Sequence, residues 1–244
     1  MEAQPIIAIK NLYKSFGENE ILKGITLSVN KGEDLVILGR SGSGKSVTIK
    51  CLVGLIQADK GNVKVFGKEI TKLKNDELNN IRTRIGFMFQ NGALYDSMSV
   101  RQNLTFTLKH HTRNLTEEDI ETEIMAALES VGLEEAIDKM PSELSGGMKK
   151  RIALARAIII KPEIILYDEP TSGLDTITSR EISELILSVQ KKYKTSSIII
   201  THDMACAKMT GNRILILKDG QINAEGTYAS LEKSEDEWVR SFFI

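Results

Sequence analysis

Cysteine is scarce in this sequence, with only two among 244 residues. Cys51 and Cys206 stand far apart with no CxxC spacing, which argues against a disulfide framework or a cysteine zinc site. We expect them to be buried, reduced thiols, one within a helix and one at a helix start. An excess of either charge is also missing, since 32 lysines and arginines balance 33 aspartates and glutamates. This balance gives no electrostatic reason to expect a nucleic-acid partner.

Long apolar runs are absent as well. No stretch of about 18 apolar residues occurs, and the first residues, MEAQPIIAIKNLYKSFG, lack the charged start and apolar core of a signal peptide. We therefore expect the chain to stay in the cytosol unless a partner anchors it. Its length and its 41% of hydrophobic residues suffice for one sizeable core. A single domain spanning residues 1–244 is the expectation.

Apolar residues follow two different patterns along the chain. Alternation at residues 7–9 and 25–29 predicts half-buried antiparallel strands. Continuous apolar runs at residues 35–38, 164–166 and 198–200 predict parallel strands that are covered on both faces. A helix between the last two runs has one apolar face, formed by Ile182, Leu185, Ile186 and Val189. Strand and helix alternate, so the core is predicted to be α/β.

Residues 91–143 interrupt this alternation, because they contain almost no strand pattern. Thr116 is a suitable helix cap with Asp119 three residues on. An apolar stripe follows and ends at Gly132; it consists of Ile120, Ile124, Leu128 and Val131. The segment is therefore predicted to be a helical insertion.

Residues 39–46, GRSGSGKS, match the phosphate-binding pattern GxxxxGK[ST] between a predicted strand and a predicted helix, the context that the pattern requires. Gly42 and Gly44 allow backbone N–H groups to turn inward, and the helix N-terminus adds partial positive charge. Lys45 adds a full charge for the β and γ phosphates, and Ser46 is expected to ligate Mg²⁺. The predicted ATP-binding residues are Gly39, Arg40, Ser41, Gly42, Ser43, Gly44, Lys45 and Ser46.

A second candidate site ends the apolar strand in IILYDEP. Asp168 at the strand terminus is placed to hold Mg²⁺ through water, and Glu169 is placed to polarise an attacking water. Two acids in sequence are also typical of a solvated loop. The phosphate-binding pattern upstream is what favours the catalytic interpretation.

The segment LSGGMKKR, residues 144–151, resembles the signature LSGGQ of the ATP-binding-cassette (ABC) family, with Met148 at the fifth position. The resemblance implies that Ser145, Gly146 and Gly147 cap the ATP held by a second copy of the chain, in a head-to-tail dimer with two shared sites. From the residues alone, Ser145 is a good N-cap and the glycines leave N–H groups for an anion. A capped helix start that binds no ligand would show the same residues, so this alternative stays open from the residues alone.

The resemblance covers nearly the whole chain and implies further roles. Phe16 matches the aromatic residue that stacks on adenine, and residues 172–175 (SGLD) match a loop exchanged across the dimer. Gln90 matches the glutamine that contacts Mg²⁺ and the attacking water and that links to the transmembrane partner. His202 matches the histidine that senses the γ-phosphate, and it follows a parallel strand, where α/β sheets bind ligands. The implied catalytic residues are Glu169, His202 and Gln90, and the implied Mg²⁺ ligands are Ser46, Gln90 and Asp168.

As a fold, the resemblance implies an α/β P-loop NTPase cassette with a mostly parallel core sheet, an N-terminal antiparallel β subdomain and a helical insertion. As a function, it implies an ATP-hydrolysing motor for integral membrane permease subunits at the cytoplasmic face of the inner membrane. DNA-repair relatives carry coiled coils, yet no sustained heptads occur here. Ribosome-associated relatives need two cassettes and a basic linker, and these 244 residues, with nearly balanced charge, supply neither. A non-hydrolysing scaffold is disfavoured because the whole catalytic set is present.

Among transporters, FQNGALYDSMSVRQNL and MPSELSGGMKKR are most similar to the ATPases of MCE-associated (Mla-type) phospholipid transporters. That similarity implies phospholipid cargo and an MCE-domain lipid-binding protein in the same complex. An ATPase of a polar-solute importer, for amino acids or other nutrients, remains open because it would use the same fold and phosphate chemistry.

Two smaller features complete the predictions. Apolar residues cluster around Gln90 and suggest a groove for a partner helix, although packing within the helical segment would use the same side chains; they are Phe87, Phe89, Leu94, Tyr95 and Met98. His110 and His111 have no acidic or cysteine companions at ligand spacing, so we interpret them as surface residues without a metal.

Overall fold

The computed structural model describes residues 4–112 and 115–243, so the ends of the predicted 1–244 domain lie outside the described residues. The chain divides into two compact units, one of Met1–Arg82 with Ser196–Ile244 and one of Thr83–Thr195. The strands are β1 (Ile7–Phe16), β2 (Asn19–Val29), β3 (Asp34–Gly39), β4 (Lys60–Val65), β5 (Lys68–Glu69), β6 (Ile85–Met88), β7 (Ile164–Asp168), β8 (Ser196–Ile200), β9 (Arg213–Lys218) and β10 (Gln221–Gly226). The α-helices are α1 (Lys45–Leu52), α2 (Asn75–Arg82), α3 (Val100–His111), α4 (Glu117–Glu129), α5 (Gly146–Ile158), α6 (Thr176–Tyr193), α7 (Met204–Thr210), α8 (Tyr228–Glu232) and α9 (Glu237–Arg240).

The first unit contains an antiparallel sheet with the strand order β2-β1-β4-β5. Ile7 lies opposite Val29, and Ile9 lies opposite Leu27. All four side chains are buried, because alternate residues of each strand point to the covered face. The two predicted antiparallel strands are confirmed, and they form an N-terminal β subdomain.

The first unit also contains the parallel strands that carry the phosphate-binding pattern. β3 pairs in parallel with β8 on one side and with β9 on the other, and β10 joins β9 in an antiparallel pair. Residues 35–38 of β3 are fully buried. A strand covered on both faces cannot alternate polar and apolar residues, which explains the continuous apolar runs. The carboxyl ends of β3 and β8 lie at the same edge.

The second unit combines the parallel pair β6 and β7 with most of the long helices. Thr116 caps α4 in the predicted capping box with Asp119, and the predicted stripe is buried: Ile120, Ile124, Leu128 and Val131. The described part of residues 91–143 contains α3, α4 and two short 3₁₀ helices, with no strand among them. On α6, Ile182, Ile186 and Val189 are buried while Leu185 is half-buried. The predicted α/β class, with its antiparallel subdomain and largely parallel core, is confirmed.

Both cysteines are free and buried, as expected, and burial raises the pKa of the Cys51 thiol to about 11. Within the described residues, no group of histidine, cysteine, aspartate and glutamate could hold a metal ion on its own. No helix among the described residues is both long enough and apolar enough to cross a membrane.

Candidate functional site

The predicted phosphate-binding loop joins the end of β3 to the start of α1 in the first unit. Gly42 and Gly44 have φ angles of +80° and +102°, a region that residues with a Cβ rarely adopt. A Cβ on Gly44 would also lie 2.6 Å from Leu22 Cδ2. Gly44 is the N-cap residue of α1, and among the described residues no side chain caps this helix end. The loop therefore presents backbone N–H groups and the positive end of a helix dipole.

Lys45 lies inside this loop and is only 8% exposed. Its ammonium donates hydrogen bonds to the carbonyl oxygens of Gly39 at 2.8 Å and Arg40 at 3.2 Å. Beside it, the Ser43 hydroxyl is buried and has no hydrogen-bond partner among the described residues. A buried hydroxyl of this kind costs about 1–3 kcal/mol unless a ligand completes it. A phosphate oxygen would accept from Ser43 and pair with Lys45, so the loop fits a nucleotide phosphate.

His202 belongs to the same unit and the same strand edge. It is exposed, two residues beyond the end of β8, and β8 pairs with the strand that leads into the loop. Asp203 follows and caps α7 by accepting hydrogen bonds from the N–H groups of Ala205 and Cys206. Phe16, at the end of β1, is 51% exposed. A ring with that much exposed surface is free to stack on a ligand.

In the second unit, β7 ends at Asp168 and is followed by Glu169, and both side chains are buried. Glu169 has a φ angle of +51°. Residues other than glycine are uncommon in this region, and they concentrate at functional sites where surrounding contacts hold them. The structure therefore places the two predicted acids together and holds one of them in an unusual backbone conformation.

The signature segment begins α5, and its predicted N-cap is confirmed, because the Ser145 hydroxyl accepts a hydrogen bond from Met148 N–H at 3.2 Å. A Cβ on Gly147 would lie 2.7 Å from Thr178 Cγ2 on α6. Close packing against α6 therefore favours glycine at position 147, in addition to the role in ATP binding that the resemblance implies. Asp175, the last residue of SGLD, caps α6 by accepting from two backbone N–H groups at 3.0 Å.

Lys150 links several of these elements, although the sequence analysis did not single it out. The ammonium is buried and donates to the backbone oxygens of Gln90 at 2.5 Å and Glu169 at 3.0 Å, and to the Ser172 hydroxyl at 3.3 Å. Burial lowers the pKa of Lys150, and the charges of Glu169 and Asp168 act in the opposite direction. Helical spacing could have revealed this lysine, because it shares a buried face of α5 with Ala153, Leu154 and Ala157.

The loop after Gln90 is held from the same helix. Arg156 of α5 donates hydrogen bonds to the carbonyl oxygens of Gly92, at 2.8 Å, and Ala93. The Gln90 side chain is exposed. Its amide is therefore presented by a loop whose backbone is fixed by two basic residues of the signature helix.

An aromatic surface lies next to this loop. Phe87 and Phe89 stack with their ring centroids 4.0 Å apart, and both are half-buried. Tyr95 meets Phe106 of α3 edge to face at 5.1 Å, and their exposures are 46% and 44%. The predicted apolar cluster thus contains a packed part and an exposed part, and the sequence analysis missed Phe106.

The predicted residues divide between the two units as follows. The first unit contains Phe16, residues 39–46 and His202, and the second contains Gln90, residues 145–147, Asp168 and Glu169. The expected surface position is confirmed for His110, which is exposed. His111 is half-buried, its Nδ1 atom is buried, and burial lowers its pKa.

Comparison with known proteins identifies the family. A family model described as ABC transporter matches residues 22–172. The chain is 39% identical to Protein TRIGALACTOSYLDIACYLGLYCEROL 3, chloroplastic, of Arabidopsis thaliana, over 99% of this chain and 74% of that protein. It is 38% identical to the intermembrane phospholipid transport system ATP-binding protein MlaF of Haemophilus influenzae, over 98% and 90%. It is 36% identical to the methionine import ATP-binding protein MetN of Clostridium tetani, over 93% and 70%.

A solved structure agrees with these sequence matches. A dimeric ATP-binding cassette in a post-hydrolysis state, bound to ADP and phosphate, superimposes with a TM-score of 0.84 at 32% identity, covering 91% of this chain and 98% of that one. The family match, the relatives and this fold agree with the geometry of the phosphate-binding loop. The chain belongs to the ABC transporter family, as an ATP-binding cassette with ATPase activity.

Proposed function

We propose that this chain powers the movement of phospholipid between membranes. It acts as the ATP-hydrolysing subunit of a transporter that also contains integral permease subunits and an MCE-domain lipid-binding protein. The observation that carries the proposal is the similarity to the phospholipid transport protein MlaF, which extends over 90% of the length of MlaF. The relative named for trigalactosyldiacylglycerol supports a lipid cargo as well.

ATP binds at the phosphate-binding loop of the first unit. Backbone N–H groups around Gly42 and Gly44 face the phosphates, and Lys45 neutralises their charge. The buried Ser43 hydroxyl gains in the phosphate the partner that it otherwise lacks among the described residues. Phe16 stacks on the adenine ring. Residues 39–46 are thus the binding element of the proposed site.

Mg²⁺ suits the oxygen-bearing side chains of Ser46, Gln90 and Asp168, since it prefers carboxylate, carbonyl and hydroxyl oxygens. When bound, it supplies charge neutralisation at the phosphates. Glu169 polarises the attacking water, and His202 contacts the γ-phosphate. These roles assign separate tasks to the two buried acids, Asp168 at the end of β7 and Glu169 after it.

The active form is a head-to-tail dimer in which Ser145, Gly146 and Gly147 of one copy bind the ATP of the other. ATP closes the dimer and hydrolysis reopens it, and the motion passes to the permease. We place the protein at the cytoplasmic face of the inner membrane, held there by that permease. The chain acts as one ATP-binding domain, and its helical segment, about residues 91–143, faces the permease.

Deletion of the gene tests the cargo. We expect a changed distribution of phospholipid between membranes, restored by the wild-type gene and not by Glu169→Gln or Lys45→Ala. Uptake of amino acids, sugars and ions is the control. Normal lipid distribution with a specific nutrient defect would refute the lipid cargo and favour an importer, which the similarity to the methionine import protein MetN supports. Co-purification of an integral membrane protein tests the permease separately.

A further inference from the structure

Lys150 makes more defined contacts than a surface lysine of a helix would. An ammonium group has three N–H donors, and the hydrogen bonds of Lys150 end at three oxygens: Gln90 O, Glu169 O and Ser172 Oγ. The three acceptors come from two segments of the second unit, the residue Gln90 after β6 and the loop 169–172 after β7. The lysine belongs to a third element, the signature helix α5.

The bond to Glu169 is part of a larger arrangement around one carbonyl group. Glu169 O accepts hydrogen bonds from Lys150 Nζ at 3.0 Å, from the Ser172 hydroxyl at 3.0 Å and from Ser172 N–H at 3.2 Å. The same residue has the left-handed φ of +51°. A backbone in this region persists only where its surroundings over-determine it. The contacts of Lys150 and Ser172 meet that requirement.

We propose that Lys150 is a positioning residue for ATP hydrolysis. It holds the backbone of Glu169 and of Gln90 at fixed places relative to the helix that begins with the signature glycines. The Glu169 carboxylate and the Gln90 amide are thereby aligned with the attacking water, and the loop at Ser172 is fixed with them. Lys150 touches no reacting atom in this role. The inference rests on the roles proposed above for Glu169 and Gln90.

Steady-state hydrolysis of MgATP by the full chain tests the inference. Lys150→Met keeps the length of the side chain and removes all three donors, so we expect kcat to fall by about tenfold or more, with KM within about twofold. Lys150→Gln keeps an amide donor and should recover most of the rate if hydrogen bonding is what matters. Lys191→Met, which changes an exposed lysine of α6, is the matched control and should behave as wild type.

A double-mutant comparison separates positioning from general stabilisation. If Lys150 acts through Glu169, then Lys150→Met should add almost nothing to the loss caused by Glu169→Gln. Additive losses, a normal kcat in Lys150→Met, or equal losses in the Met and Gln variants would overturn the inference. If Lys150→Met does not fold, Lys150→Gln tests the inference instead. Its kcat should stay near that of wild type, and adding it to Glu169→Gln should lower the rate no further. A wild-type rate in Glu169→Gln would instead refute the role proposed for Glu169 itself.

Discussion

Glu169 combines a buried carboxylate with a left-handed backbone directly after Asp168. We expect Glu169→Gln to retain ATP binding, because the amide keeps the size and hydrogen-bonding capacity of the side chain. Hydrolysis should fall by about 100-fold or more, since the charge that polarises the attacking water is lost. Phosphate release and nucleotide titration on the same sample measure the two effects. A rate near that of wild type would contradict the proposed role.

Lys45 provides the contrasting case at the other predicted motif. Its buried ammonium lies against the carbonyls of the phosphate-binding loop, so Lys45→Ala removes the main positive charge offered to the phosphates. The expected result is weaker ATP binding itself, measured by nucleotide titration. Equal ATP affinities for Lys45→Ala and Glu169→Gln would refute the proposal that Lys45 acts in ATP binding and Glu169 in hydrolysis.

Asp34 predicts a pH dependence of stability. The pKa of this carboxyl is raised from 3.8 to about 6, chiefly because burial disfavours its charged form; the hydrogen bond from Ser197 lowers the pKa and the charge of Glu33 raises it. The folded protein therefore binds this proton more strongly than the unfolded chain, so the free energy of unfolding falls as the pH rises from about 4 to about 6.

Asp34→Asn should remove this penalty and still accept the Ser197 hydrogen bond. Allowing for partial exposure, we expect it to stabilise the protein by about 1–2 kcal/mol at pH 7.5, with the gain vanishing near pH 4. Urea unfolding at several pH values measures it. Asp96→Asn, at an exposed aspartate, is the control and should show no such trend. A gain for Asp34→Asn that did not change with pH would count against the burial argument.

At the scale of elements, α3 and the loop before it present Tyr95 and Phe106 edge to face on an exposed surface. Exposed neighbouring aromatic residues are typical of a protein interface. Tyr95→Ala is expected to reduce the amount of permease that co-purifies with the chain, while ATP binding stays intact. Met125→Ala, at an exposed apolar residue of α4, is the control. An unchanged yield of complex with Tyr95→Ala would argue against this docking surface.

The elements also show what the sequence could and could not predict. Continuous apolar runs identified β3, β7 and β8 because full burial leaves no room for polar residues. Thr116 identified the start of α4 because its capping box is local. Helical spacing places Lys150 on the buried face of α5, but its partners lie 19 to 60 positions away, and spacing along one helix does not identify them.

For the whole molecule, the proposed dimer depends on the start of α5. A Cβ on Gly146 would come no closer than 3.5 Å to Leu174, so Gly146→Asp should fold normally while placing a negative charge where the partner's ATP would bind. We expect Glu169→Gln with MgATP to accumulate as a dimer in size-exclusion chromatography and Glu169→Gln with Gly146→Asp to remain monomeric. Gly146→Ala is the steric control. Dimers of the aspartate variant would disprove the proposed contact.

The phosphate-binding loop and the pair of acids could both be located from local sequence, since each follows a recognisable strand. The backbone state of Glu169 was beyond prediction, because it depends on contacts with Lys150 and Ser172. The cargo is also beyond prediction from the residues of this chain. A motor subunit need not touch what it moves, so only similarity to relatives addresses it.

The pairing of β3 with β8 has a consequence for synthesis on the ribosome. Asp34 and Ser197 are hydrogen-bonded although 163 positions separate them, so β3 emerges long before its neighbours β8 and β9. At typical translation rates this interval is on the order of ten seconds. During it the nascent chain has a complete phosphate-binding motif but no finished sheet to hold it, and the second unit, Thr83–Thr195, is synthesised in this interval. Competence to bind nucleotide should therefore arrive only after β8 and β9 have been synthesised.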